Sequence, residues 1–164
     1  MLQARRRLLC GLLLFCFCPS LADAEKGRTA VDTVLVIKSE RKLHLLSQGN
    51  IVRTFPVRLG ANPVGPKIFE LDGRTPEGVY VIDSRKRDST FYRSLHISYP
   101  SVDDRARAAK YGISPGGNIR IHGTPHESGR YLGDWTDGCI AVPNDAMREI
   151  WDAVRIGTPI EIRP

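Results

Sequence analysis

The chain has 164 residues, with 24 Lys and Arg against 18 Asp and Glu, a formal net charge of +6 and 41% hydrophobic residues. Its basic residues are scattered among acids, with no long basic block and little aromatic interleaving, so no nucleic-acid partner is expected. The length suits one domain with a sizeable core.

The N-terminus reads as a leader. Arg5-Arg6-Arg7 gives a positive start, Leu8 to Phe17 an apolar run, and Ala22-Asp23-Ala24 a small-x-small cleavage site. Residues 1–24 are therefore expected to be a signal peptide and residues 25–164 the mature domain. The apolar run is shorter than the about 20 residues that span a bilayer, so no stable membrane insertion is expected after cleavage. Phe15 and Phe17 precede Cys16 and Cys18, where lipidation calls for a small residue. The expected location is the periplasm or cell envelope. Cleavage removes three Arg and one Asp, lowering the net charge to +4, and takes Cys10, Cys16 and Cys18 with it. Cys139 is then the one cysteine left, with no intramolecular disulfide partner.

In chain order, Val34 to Ile37 and Leu43 to Leu46 read as strands, and Gln48-Gly49-Asn50 as a turn into a third from Ile51 to Leu59. In the third, Phe55, Val57 and Leu59 alternate with Thr54, Pro56 and Arg58, as a half-buried strand does. Pro56 cannot donate to a ladder, which predicts an edge position or a local break. Gly60 to Pro76 is a long Gly/Pro-rich loop, and Gly78 to Asp83 a strand. Ser101 opens a helix with a capping box, and Gly112 stops it. Ile119 to Ile121 is a short strand delivering His122 to its end. Asn144 is expected to cap a helix from Asp145 to Val154, with Met147, Ile150, Trp151 and Val154 on one face. Thr158 to Ile162 closes the chain as a strand.

A lone thiol in an exported protein is a candidate nucleophile. Attack on an acyl carbon needs a base and donors for the developing oxyanion. His122 is the candidate base, expected to hold Cys139 as thiolate, with a backbone carbonyl near Gly123 to orient its ring. Gly138 permits unusual backbone angles before Cys139, so the Gly138 and Cys139 N–H groups are the candidate oxyanion donors. Thr136, Asp137 and Gly123 are supporting residues. Arg74 and Arg120 are candidates for holding substrate carboxylates. His96 alternates in a strand and is a further candidate for substrate binding, whereas His126 lies in a surface-like turn. One Cys without CxxC, and Pro125 between His122 and His126, give poor metal spacing, so neither metal nor cofactor is expected.

The segments Ile121-His122-Gly123-Thr124 and Thr136-Asp137-Gly138-Cys139-Ile140 resemble the catalytic signature of YkuD-type L,D-transpeptidases. Thr75-Pro76-Glu77-Gly78-Val79-Tyr80 is similar to that family's Thr-Pro-x-Gly-x-Tyr segment, and Leu43–Leu45 resembles its first hairpin. The resemblance runs from about Val31 to Ile162. It implies a mainly β, sandwich-like domain with small helices. It also implies a cysteine acyl-enzyme formed from peptidoglycan stem peptides, whose acyl group passes to an amine or to water. Two positions depart from the family: Asp137 stands where it has His, and Ala141 where Arg or Asn often follows. Both leave the cysteine chemistry intact and the acyl acceptor open, so a transpeptidase or a hydrolase of peptidoglycan peptide or peptidoglycan–protein links fits. A non-catalytic wall-binding module is the alternative of another class, and it has no need of a nucleophile beside a base.

Overall fold

Alternating apolar residues pair the N-terminal region into a meander of β1 (Thr33–Ile37), β2 (Lys42–Ser47) and β3 (Asn50–Pro56). The structure is a computed structural model that describes residues 30–124 and 133–164; the leader, Pro125 and His126 lie outside the described residues. Beyond the loop follow β4 (Gly78–Ser89), β5 (Tyr92–Ile97), α1 (Val102–Ala109), β6 (Arg120–His122), β7 (Ile140–Ala141), α2 (Asn144–Ala153) and β8 (Pro159–Arg163). Among the described residues these eight strands form one sheet, in the order β3-β2-β1-β8-β4-β5-β6-β7.

The ends of that order are joined. Arg58, just past β3, exchanges two 2.8 Å backbone hydrogen bonds with Ala141 of β7. The sheet thus curls back on itself and leaves less edge unpaired. Pro56 is the last residue of β3, which lies at one end of the strand order, and the β2–β3 pairing shifts register between Leu45 and Leu46. Val57 and Leu59 nevertheless keep the inward alternation and are buried.

Two elements differ from the sequence expectation. β4 continues six residues past Asp83, to Ser89, through Ser84-Arg85-Lys86-Arg87-Asp88. Charge hid this stretch, yet Arg85 turns inward. It donates to the Trp151 and Val154 carbonyls at 2.6 and 3.1 Å and stacks 4.1 Å from the Trp151 ring. It satisfies carbonyls that the end of α2 leaves open. Asn144 does not cap α2. Pro143 occupies the cap position without a side-chain bond, and Asn144 is the first helical residue, its amide turned elsewhere.

The core collects Val34, Val36, Leu43, Leu45, Ile82, Leu95 and Ile121 from the sheet and Met147, Ile150 and Val154 from α2, which packs against β5. Ser101 caps α1 through the expected box with Asp104, whose buried carboxylate also accepts from the Tyr80 hydroxyl at 3.0 Å. Among the described residues no helix is long and apolar enough to cross a membrane.

Candidate active site

The site is built on the β5–β6–β7 end of the sheet. Ile121 pairs with Ile140 in parallel, and both side chains are fully buried in the core. Alternation then turns Arg120, His122, Cys139 and Ala141 to the opposite face. Antiparallel pairing of Ser94 with His122 and His96 with Arg120 adds Ser94 and His96 to that face. One surface therefore carries His96, Arg120, His122 and Cys139, residues scattered over more than forty positions of sequence.

The turn before Cys139 is held by Thr136. Its Oγ1 donates to the Cys139 carbonyl at 2.7 Å and accepts the Gly138 N–H at 3.1 Å, while its backbone is tied to Leu59 and Ala61. Asp134 accepts from the Leu59 N–H and pairs with Arg41 at 2.8 Å, anchoring the turn to the β1–β2 hairpin. Gly138 sits at φ +129°, and a Cβ there would lie 2.5 Å from the Arg74 carbonyl oxygen. Gly138→Ala is therefore expected to lower stability by about 1–3 kcal/mol and to displace Cys139. Thermal unfolding and cysteine labelling check this; a variant as stable and as reactive as the parent would show that the close approach is not needed.

His122 is 4% exposed. Its Nδ1–H donates to the Gly123 carbonyl at 2.6 Å, which fixes the tautomer and leaves Nε2 with its lone pair. Phe91 and Trp135 pack on the ring, with centroids 4.7 and 5.8 Å away. Asn144 latches the loop that supplies the carbonyl: its Oδ1 accepts the Thr124 N–H at 2.8 Å and its Nδ2 donates to the Thr124 carbonyl at 3.1 Å. Gly123 has no room for a side chain there, since a Cβ would meet Asn144 Oδ1 at 2.2 Å.

Cys139 and His122 share a face but do not hydrogen-bond to each other. The thiol donates to the Asn118 carbonyl at 3.7 Å. Burial pushes the thiol pKa up; the Arg120 backbone N–H and charge and the Lys67 charge oppose this, and Asp137 adds to it. Burial pushes the His122 pKa down, reinforced by Arg120 and only partly offset by the Gly123 carbonyl. Burial thus works against the expected thiolate and favours a protonated thiol beside a neutral imidazole, the form that can act as a base. Alkylation of Cys139 should accordingly be slow at neutral pH, rise only at alkaline pH, and change by no more than about twofold in His122→Ala, because the thiolate fraction sets the rate. Rapid labelling with an inflection below neutrality, lost in His122→Ala, would mean a preformed ion pair.

The remaining candidates divide. Arg120 lies on the site face, its Nε on Asn118 Oδ1 at 2.9 Å and Nη1 on Ser94 Oγ at 3.4 Å. His96 faces the same way, its Nδ1–H donating to Asp83 Oδ1 at 2.6 Å. Arg74 brings its backbone to Gly138, but its guanidinium lies beside Gly65. Asp137 is exposed and does not orient His122, which is held instead by the Gly123 carbonyl. The Gly138 N–H is committed to Thr136, which narrows the expected oxyanion donors to the Cys139 N–H. Among the described residues no three His, Cys, Asp or Glu side chains gather to hold a metal.

Sequence reading missed the supports. Phe91 and Trp135 form the cage, and Asn144 the latch. Lys67 and Asp72 form a buried ion pair at 2.8 Å, 3% and 2% exposed, inside the 60–76 loop. Lys38, also buried, donates to the Gly65 and Thr75 carbonyls and to Glu77 from beneath the loop. Trp135, four residues before Cys139, was a usable signal; the others are distant in sequence.

A mainly β fold whose His-Gly and Gly-Cys segments meet on one sheet face defines a class, and residues 31–162 match the YkuD L,D-transpeptidase catalytic domain. The chain belongs to that family. It is 27% identical over 127 residues to YafK of Escherichia coli strain K12, by its name a candidate L,D-transpeptidase, covering 74% of this chain and 46% of that one. Pgp2 of Campylobacter jejuni, described as a helical cell shape determining protein, superposes with a TM-score of 0.65 and 25% identity over 80% of this chain and 47% of its own. An L,D-transpeptidase from Xylanimonas cellulosilytica shares the fold at a TM-score of 0.55 and 19% identity, over 83% and 62%. The chain spans about half the length of the curated relatives it matches.

Proposed function

We propose that this protein is an exported cysteine acyltransferase of the cell envelope that acts on peptidoglycan stem peptides. The observation that carries the reading is the common face of Cys139 and His122, with Nδ1 of the imidazole tied to the Gly123 carbonyl and Nε2 left to take a proton. In the first half-reaction the Cys139 sulfur bonds to the acyl carbon while its proton passes to His122 Nε2. The Cys139 N–H faces the developing oxyanion. The C–N bond then breaks and the departing amine takes the proton from His122, leaving a thioester and a neutral imidazole. Burial of His122 suits this sequence, since it favours the neutral imidazole, the form that accepts a proton. The family supports the substrate class, for L,D-transpeptidases act on peptidoglycan peptides. The leader over residues 1–24 supports delivery to the periplasm or cell envelope. Hydrolysis of the same thioester is the second reading, supported by the exposed carboxylate of Asp137 beside the thiol.

Intact-mass measurement tests the proposal. A strained β-lactam carbonyl mimics the acyl donor, so a carbapenem should add once, and peptide mapping should find it on Cys139. Incubation with purified muropeptides should consume tetrapeptides, cross-links or protein-linked species. A protein that gains no adduct and leaves all three untouched is a wall-binding module instead.

A further inference from the structure

Asp83, His96 and Arg120 line up with Cys139 across four neighbouring strands, and the alignment has a structural cause. β4 pairs Ile82 with Ile97 and Ser84 with His96, so Asp83 is the extra residue of a bulge. Bulges re-aim a side chain and cluster next to active sites. Here the bulge turns the Asp83 carboxylate onto His96 Nδ1 at 2.6 Å. That bond fixes the tautomer with the lone pair on Nε2, and the pair stays open to solvent, at 21% and 41% exposure. His96 is directly opposite Arg120, and Arg120 is one strand from Cys139. Two strand spacings, about 10 Å, therefore separate the His96 and Cys139 backbones. A nucleophile in contact with a thioester carbon on Cys139 and hydrogen-bonded to His96 fits that gap. His122 is the poorer base for such a molecule, being buried and walled by Phe91 and Trp135. Arg120 occupies the floor between the two, with Nη2 making no hydrogen bond to the protein among the described residues. A planar guanidinium with a free donor edge is suited to a carboxylate.

We propose that these three residues form the acyl-acceptor subsite, with His96 as a second base, and that the subsite takes a primary amine with a carboxylate on the neighbouring carbon. The inference rests on the reading of Cys139 as an acylated nucleophile. Arg120 holds the carboxylate. His96 Nε2 takes the proton that the amine gives up, and the Asp83 carboxylate balances the imidazolium. The neutral nitrogen bonds to the acyl carbon and the C–S bond breaks. Cys139 leaves as thiolate and recovers a proton from the newly formed, still protonated amide nitrogen by way of His122, while His96 returns its own proton to solvent. On this assignment the two histidines divide the reaction, His122 serving the departing group and His96 the incoming one.

The test follows one acyl-enzyme. Wild-type protein is acylated with a synthetic stem tetrapeptide, freed of donor, and chased with glycine, with glycinamide or with buffer alone, by intact mass. His96→Asn should form the acyl-enzyme at a rate within about twofold of wild type but transfer to glycine about 100-fold more slowly, the usual range for loss of a general base. Added imidazole should restore part of that rate to His96→Ala, and Asp83→Asn should slow transfer in the same sense. Wild type should prefer glycine to glycinamide, and Arg120→Gln should abolish the preference. A circular dichroism spectrum and a melting temperature like those of wild type certify each variant as folded. Equal discharge of wild-type and His96→Asn acyl-enzymes, or a wild type that discharges to water alone, overturns this inference and leaves acylation standing. A wild type that forms no acyl-enzyme overturns the proposed function itself.

Discussion

Cys139→Ala should fold and yet lose turnover of stem peptides by roughly 10⁶-fold, the scale seen when a covalent nucleophile is deleted. The substitution replaces a thiol by hydrogen at a partly buried position whose sulfur contact is one long 3.7 Å bond to the Asn118 carbonyl. Its stability cost should be modest, about 1 kcal/mol. The Thr136 bonds that shape the turn go to the backbone of residues 138 and 139 and survive the change. Loss of the carbapenem adduct with an unchanged melting temperature is the expected pair of results. Residual turnover within tenfold of wild type would mean that a different group forms the acyl bond.

Asp72→Ala should be the most destabilising of these substitutions, at about 3–5 kcal/mol, because it strips the partner from a buried charge. Asp72 accepts from Lys67 Nζ at 2.8 Å and from the N–H groups of Ile68, Phe69 and Arg74. Burial alone would raise its pKa, but Lys67 and these N–H groups outweigh burial and hold it below the usual carboxylate range. The sign follows. A carboxylate depressed in the folded state contributes stability above its unfolded pKa, near 4, and loses it as pH falls through the lower folded value. Wild type should therefore lose stability below about pH 4 more steeply than Asp72→Ala does, the variant lacking this contribution throughout. The same substitution leaves Lys67, one of the charges drawing the Cys139 pKa down, without its counter-charge, so the thiol should titrate lower. Denaturant unfolding at pH 7 and pH 3 measures the stability difference, and the pH profile of Cys139 alkylation measures the thiol. Equal losses of stability on acidification in the two proteins would remove Asp72 from the acid response.

Much of this was legible because it is local. The capping box at Ser101, the inward alternation of Phe55, Val57 and Leu59, and the apolar face of α2 are each set by residues a few positions apart. The thiol and imidazole were legible for the same reason, each announcing itself through an adjoining glycine. What stayed hidden depends on pairing. The extension of β4 looked like a charged loop because the carbonyls that Arg85 serves lie more than sixty residues away. Asn144 had the identity and position of a helix cap, but a tertiary partner at Thr124 outcompeted the local bond. The charge balance of the Cys–His pair was hidden similarly, since residue types name the pair while burial, which opposes the thiolate, is set by the fold.

The place of β8 bears on when this chain can fold. Residues 159–163 pair in parallel with β1 and antiparallel with β4, so they stand between the N-terminal meander and the strands that carry the site. The β1–β8 pairing closes a loop of more than 120 residues. Such long-range closure is slow. The N-terminal meander can therefore form early from local pairing, while the face that carries Cys139 and His122 gains its support from β1 only with that distant closure.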